Sequence, residues 1–206
     1  MMRCARIDLG GMVVVMLFFL VASAEAALID RGGGFIYDDV QDITWAQDAN
    51  INGLDTWANQ VAWAAGYSQT HSVYGTFDDW RLPTTLQPDP SCSSQSGGNS
   101  YGYSCTGSEM GHLFNVDGIS SSSMGLFTNV QSLNYWSGTE YASVTSAAWS
   151  SYFSDGWQGG TYKTESILAL AVRDGDIAPI PEPSAAVLLG LGLSGLAASG
   201  RRRNRS

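Results

Sequence analysis

Two charge-free apolar stretches, one at each end and each set beside arginines, limit what this chain can fold into. At the N-terminus Arg3 and Arg6 precede the apolar run 12–21 (MVVVMLFFLV), and Ala24-Glu25-Ala26 follows with a small-x-small pattern. That is the order of a secretory signal peptide, so residues 1–26 are expected to be removed and the mature chain to begin at Ala27. The run is short for a membrane span, which needs about 20 apolar residues. At the C-terminus Pro181-Glu182-Pro183 leads into residues 184–200 without a charge, and Arg201, Arg202, Arg203 and Arg205 follow. A helix over 184–200 would rise about 26 Å, near the lower limit for a bilayer core of about 30 Å. The arginines beyond it are expected to stay on the cytoplasmic side. The folding unit is therefore residues 27–178, predicted to stand outside the inner membrane and held there by transmembrane helix 184–200.

Between those ends the chain is acidic. Residues 27–178 carry Arg31, Arg81, Lys163 and Arg173 against sixteen carboxylates, a net charge of −12, whereas the whole chain carries −9. Such a surface repels phosphate backbones, which excludes nucleic acid as a partner and disfavours sulfated polysaccharides unless a metal bridges. Bound cations or neutral sugars suit it better. Apolar residues make up 44% and charged residues 14% of the chain, the balance of a packed core rather than a disordered segment. The 24 glycines, and seven tryptophans all lying between Trp45 and Trp157, point to short strands joined by loops.

Cys4 departs with the signal peptide. Cys92 and Cys105 remain in an oxidising compartment, where a disulfide closing SCSSQSGGNSYGYSC is expected. In the chain-entropy model such a loop contributes about 3 kcal/mol. No CxxC spacing or histidine cluster favours a metal or redox pair.

Along the domain, residues 27–45 predict two short strands around Gly32-Gly33-Gly34. Asp55 is the expected N-cap of a helix over 56–65, with Trp57, Val61 and Ala64 on one apolar face and Gly66 at its end. Thr106-Gly107-Ser108-Glu109 reads as a capping box opening a helix over 109–114. The C-terminal third predicts strands at Tyr135, at 147–153, after the Asp155-Gly156 turn, and at 167–172, whose unbroken apolar run suggests burial on both faces.

The ordered set DWRLPT, SEMGHLF, YWSGTEY, AAWSSYF-DG and AVRDG resembles the Lcl C-terminal domain family, over most of residues 27–176. That family is similar to the C-type-lectin-like superfamily, whose formylglycine-generating members carry a related RLPT run. The resemblance implies an α+β fold: a twisted antiparallel sheet with two short helices and long loops on one side. Within it Trp80, Arg81, Leu82 and Pro83 form a structural motif, with Arg81 in an ion pair or backbone contacts that fix the turn and Asp79 its nearest candidate partner. The family's association with sulfated glycans conflicts with only four basic residues in the domain. The calcium motifs of sugar-binding C-type lectins (Glu-Pro-Asn and Trp-Asn-Asp) do not occur. The tail resembles a PEP-type C-terminal sorting signal over 179–206, with Pro181, Glu182 and Pro183 followed by the helix and by Arg201, Arg202 and Arg203. That resemblance implies an exosortase-type processing enzyme as partner, transient residence in the inner membrane, and a final place at the cell surface or in the extracellular matrix.

Three functions compete on these residues. The first is a non-catalytic module binding exopolysaccharide, in which Trp136, Tyr141, Trp149 and Trp157 stack on sugars while Asp155 or Glu140 takes hydroxyls. The second is a matrix-assembly protein without a small ligand. The third is an enzyme of the formylglycine-generating kind, which the loop-closing cysteines, the lone histidines His71 and His112, and the oppositely directed Asp78 and Asp79 all argue against. No cofactor is expected. A structural calcium ion would draw on Asp38, Asp39 and Asp42.

Overall fold

A computed structural model describes residues 28–178. The expected signal peptide (1–26) and sorting segment (179–206, with helix 184–200) lie outside the described residues. Among the described residues no helix is long and apolar enough to cross a membrane.

The architecture is α+β, mostly strand, with two short helices. It holds two four-stranded sheets rather than the single antiparallel sheet expected. The first begins with β1 (Leu28–Gly32) and β2 (Phe35–Asp38), joined through Gly33 and Gly34 at φ +60° and +88°. Only glycine adopts such angles cheaply, which is why the triplet marks the turn. A third strand, β3 (Ile43–Ala46), begins within the segment 27–45 that was expected to hold two. The helix α1 (Trp57–Gly66) follows, then the hairpins β4 (Gln69–His71) with β5 (Gly75–Phe77) and β6 (Ser94–Ser96) with β7 (Asn99–Tyr101). After α2 (Glu109–Asn115) come β8 (Asn134–Glu140), β9 (Ala147–Tyr152), β10 (Gln158–Tyr162), β11 (Leu168–Ala169) and β12 (Val172–Asp174). The sheet orders are β1-β2-β3-β12 and β10-β9-β8-β11.

The apolar run 167–172 does more than the single buried strand expected. Leu168 and Ala169 pair in parallel with Tyr135 and Trp136, and Val172 then pairs antiparallel with Trp45. Residues 168–172 are buried throughout because they pass from one sheet into the other.

The two helices cover opposite faces of the second sheet. Trp136, Ala148 and Ala169 share one face by strand alternation and cluster with Ala64 of α1, with Trp57 and Val61 packed against them. Tyr135 and Leu168 point the other way and join Met110 and Leu113 of α2, together with Ile36, Trp45 and Val172 of the first sheet. The core is thus the interlayer between the sheets, with α2 built into it.

Neither helix starts as expected. Thr56 rather than Asp55 occupies the N-cap of α1 and makes no side-chain cap bond, while Asp55 Oδ1 accepts from the Thr56 N–H and the Asn59 amide, both at 2.7 Å. Ser108 caps α2, but its hydroxyl accepts the Leu86 N–H at 3.1 Å. Glu109 turns to Arg81 and the Thr84 N–H, so the capping box does not form. Gly111 is required in α2: a Cβ there would lie 1.9 Å from the Cys105 carbonyl oxygen.

Candidate ligand-binding site

The edge strand β10 carries adjacent glycines that make room for two rings on opposite faces. A Cβ on Gly159 would lie 1.9 Å from the Trp157 ring, and one on Gly160 would lie 3.0 Å from the Tyr141 ring. Trp157 therefore packs its six-membered ring against bare backbone, half-buried. The turn before it is set by Asp155, whose Oδ1 accepts the Trp157 N–H at 3.1 Å, and by Gly156 at φ +79°. A Cβ on Gly156 would also strike the Phe114 ring at 2.3 Å. Tyr152, the last residue of β9, meets Trp157 edge-on with centroids 5.7 Å apart. Tyr152, Asp155 and Trp157 line an open depression of about 330 Å³. An aromatic face beside a carboxylate offers what a neutral sugar needs, an apolar shelf for C–H groups and an acceptor for hydroxyls.

A second depression of about 240 Å³ lies at the far end of the same strand pair, lined by Tyr141, Val144, Ala147, Gly160 and Tyr162. Tyr162 is 63% exposed, the most open aromatic ring of the domain. Glu140 pairs with Lys163 at 3.1 Å, and that ammonium also sits 4.4 Å from the Trp57 ring centroid.

The sequence candidates thus separate. Trp157 and Asp155 come together, joined by Tyr152. Tyr141 and Glu140 stand at the other end, joined by Tyr162. Trp136 and Trp149 are corrected to the core, at 0% and 1% exposure. The Trp136 indole N–H donates to the Asp55 carbonyl at 3.2 Å, and Trp149 lies beneath Tyr141 with centroids 4.7 Å apart. Tyr152 and Tyr162 were missed, although both follow from strand alternation once the register of β9 and β10 is known.

The DWRLPT run is a lock between elements rather than a surface site. Arg81 grips Glu109 with two nitrogens at 2.8 and 2.7 Å, and its Nε donates to Asp174 at 3.1 Å. Burial would lower the guanidinium pKa, but the bonds to Glu109 and Asp174 outweigh it and raise it. Its backbone exchanges hydrogen bonds with Val172 at 2.8 and 2.9 Å. Trp80 and Leu82 are buried in two different clusters, with Pro83 buried beside them. Asp79 is not the partner of Arg81. It takes Arg173 at 2.8 and 2.9 Å, and that guanidinium holds its carboxyl below the usual range.

Residues 34–173 match the family model of the Lcl C-terminal domain. The chain belongs to the Lcl C-terminal domain family. No curated protein and no solved structure matches it.

In this Lcl C-terminal domain the two cysteines are bonded, as expected, closing the loop that carries β6 and β7. Gly102, just past β7, exchanges backbone hydrogen bonds with Gln158 at 2.8 Å each way, fastening the loop to β10 and so to the Trp157 shelf. Asp38, Asp39 and Asp42 do not converge on a metal site. Asp38 is buried and accepts from the backbone of Val40 and Gln41 and from the Gln41 amide, while Asp42 accepts the Tyr37 hydroxyl at 2.9 Å. Among the described residues the carboxylate and sulfur atoms that do converge belong to Asp89, Cys92 and Cys105, and there the sulfurs are spent on each other. His71 is held structurally: its Nδ1 accepts from the N–H groups of Val73 and Tyr74.

Proposed function

We propose that this Lcl C-terminal domain is a non-catalytic, exported module that binds extracellular glycan through the Trp157 shelf. The observation carrying the reading is the half-buried indole packed against Gly159, with Tyr152 edge-on to it and Asp155 at its side. The acidic charge of the domain favours a neutral glycan, or one bridged by a cation, and exopolysaccharide is the intended class. Trp157→Ala is expected to weaken binding of residues 27–178 to exopolysaccharide from the producing organism at least tenfold, about 1.4 kcal/mol. Isothermal titration with calcium and with chelator checks it. Unchanged affinity would remove the shelf from the site, and loss only in chelator would assign the contact to a bridging cation. Self-association without saturable glycan binding would favour the matrix-assembly reading.

Two further parts of the proposal concern kinship and address. The two short helices, the mostly antiparallel strands and the long loop-rich segment between α1 and β8 support a C-type-lectin-like fold, which superposition of an experimental structure would test. The tail order of Pro181-Glu182-Pro183, charge-free 184–200 and Arg201, Arg202 and Arg203 supports sorting by an exosortase-type enzyme. Replacing Pro181, Glu182 and Pro183 by alanines is expected to trap the protein in the inner-membrane fraction. Unchanged release to the surface on fractionation would refute that assignment.

A further inference from the structure

The strand pair β9–β10 carries one depression on each of its two faces. Successive residues of a strand point to opposite sides of the sheet. Gly160 and Tyr162 therefore share one face with their cross-strand partners Trp149 and Ala147. Gly159 shares the other face with its partner Ser150 and with Tyr152, two residues further along β9. The Trp157 shelf lies on the Gly159 face. The depression of about 240 Å³ lined by Tyr141, Val144, Ala147, Gly160 and Tyr162 lies on the Gly160 face. A ligand on the shelf leaves this second depression free, because the strand pair stands between them.

The second depression joins aromatic rings to open backbone. Tyr162 is 63% exposed, and the half-buried Tyr141 rests on Trp149 with its ring where a Gly160 Cβ would come within 3.0 Å. The Tyr152 N–H donates to the Trp157 carbonyl at 2.8 Å, and the Lys163 N–H to the Ser146 carbonyl at 2.9 Å. In an antiparallel pair this turns the backbone groups of alternate residues, 157 to 163, towards β9. Those of Gln158 and Gly160 are turned away from it. Gln158 spends its N–H and C=O on Gly102, and that bridge is confined to the one pair. Gly160, one alternation further, is exposed and presents its N–H and C=O at the free edge of the sheet. A donor and an acceptor beside tyrosine rings match the hydroxyls and the C–H face of a sugar. The residues flanking the depression in the chain, Glu140 and Lys163, pair with each other at 3.1 Å and so bring no net charge. That favours a neutral ligand.

We propose that this depression is a second glycan site, taking a neutral sugar, and that each domain holds two glycan chains at once, one on either face of β9–β10. The proposal rests on the reading of the Trp157 shelf as a glycan site. It joins two functions that stand as competitors on the sequence. A module with one site decorates a polymer, whereas a module with two sites facing apart cross-links it, and so builds a matrix without associating with itself.

The test holds residues 27–206 at one copy per lipid nanodisc, so that any bridging comes from a single domain. Calorimetric titration with short oligosaccharides cut from the exopolysaccharide of the producing organism is expected to count two ligands per chain. Trp157→Ala and Tyr162→Ala should each leave one, and the double variant none. If Tyr162→Ala does not fold, Val144→Glu decides, since it sets a bulky charge in the same depression at a residue already 42% exposed, and it should also remove one ligand. With uncut polymer the native chain should raise the viscosity of the solution, and either single variant should bind without doing so. One ligand per native chain, lost in Trp157→Ala and kept in Tyr162→Ala, overturns the second site and leaves the shelf standing. Two ligands that both survive Tyr162→Ala and Val144→Glu also overturn it. No ligand on the native chain defeats the shelf reading and this one together.

Discussion

Replacing Arg81 by alanine is expected to lower the unfolding free energy by about 3 kcal/mol, at the lower end of the range for breaking a buried ion pair. The guanidinium is 31% exposed and Glu109 14%, so solvent compensates only part of the loss. The substitution removes a two-nitrogen grip on Glu109 and leaves that carboxylate with the Thr84 N–H as its remaining partner here. It also frees α2 from β12, because the same side chain reaches Asp174. In urea the transition midpoint should fall with an unchanged slope, and thermal melting should drop by roughly 6–12 °C. Arg81→Lys should recover little, since an ammonium cannot present two parallel donors to one carboxylate. Asp174→Asn should cost under about 1 kcal/mol, because that carboxylate is 80% exposed. A lysine variant as stable as the native chain would show that charge, and not the fork geometry, holds the two elements together.

That lock also shows how far the sequence could be read. DWRLPT was legible as a structural motif because a proline after an arginine and a leucine fixes a local turn. The identity of its partners was not. Glu109 lies 28 residues away and Asp174 lies 93 away, so only the closed fold can pair them. The same long reach explains the misplaced Asp79, whose true partner Arg173 is 94 residues distant. It also explains the missing capping box, since Glu109 cannot serve both its own helix start and Arg81. The apolar face of α1 was readable because its period is local. The split of the tryptophans was legible in part, because SDGWQGG sets Trp157 in a turn, whereas AAWSSYF reads as a strand without showing that Trp149 is covered. Trp149 is buried by Tyr141 and by its place in a strand between two others, whereas Trp157 sits where the hairpin turns back at the sheet edge. The run 167–172 reads as one strand because burial is all that periodicity reports, and it is blind to a change of sheet.

Replacing both Cys92 and Cys105 by serine is expected to cost about 3 kcal/mol, the chain-entropy value for a loop of this size, whose ends are 13 residues apart. The larger consequence concerns the shelf. The stapled loop is fastened to β10 by the paired Gly102 and Gln158 backbone bonds, next to the glycine that seats Trp157. Gln158 is itself buried, with its amide 3.8 Å from the Cys92 sulfur. Asp89, also buried, accepts the N–H groups of Ser91 and Gly107 at either end of the loop and so ties it down from within. Those bonds survive the substitution, so the serine variant should still fold, with a lower melting temperature and faster amide exchange at Gly102 and Gln158. Glycan affinity should fall along with that protection, because an edge strand that frays there no longer holds the indole in place. If exchange quickens while affinity is unchanged, the shelf is positioned by the β9–β10 turn alone and the disulfide serves only stability. If both change together, the oxidised loop is part of the binding site's frame, and the domain is competent only in a compartment that keeps it oxidised.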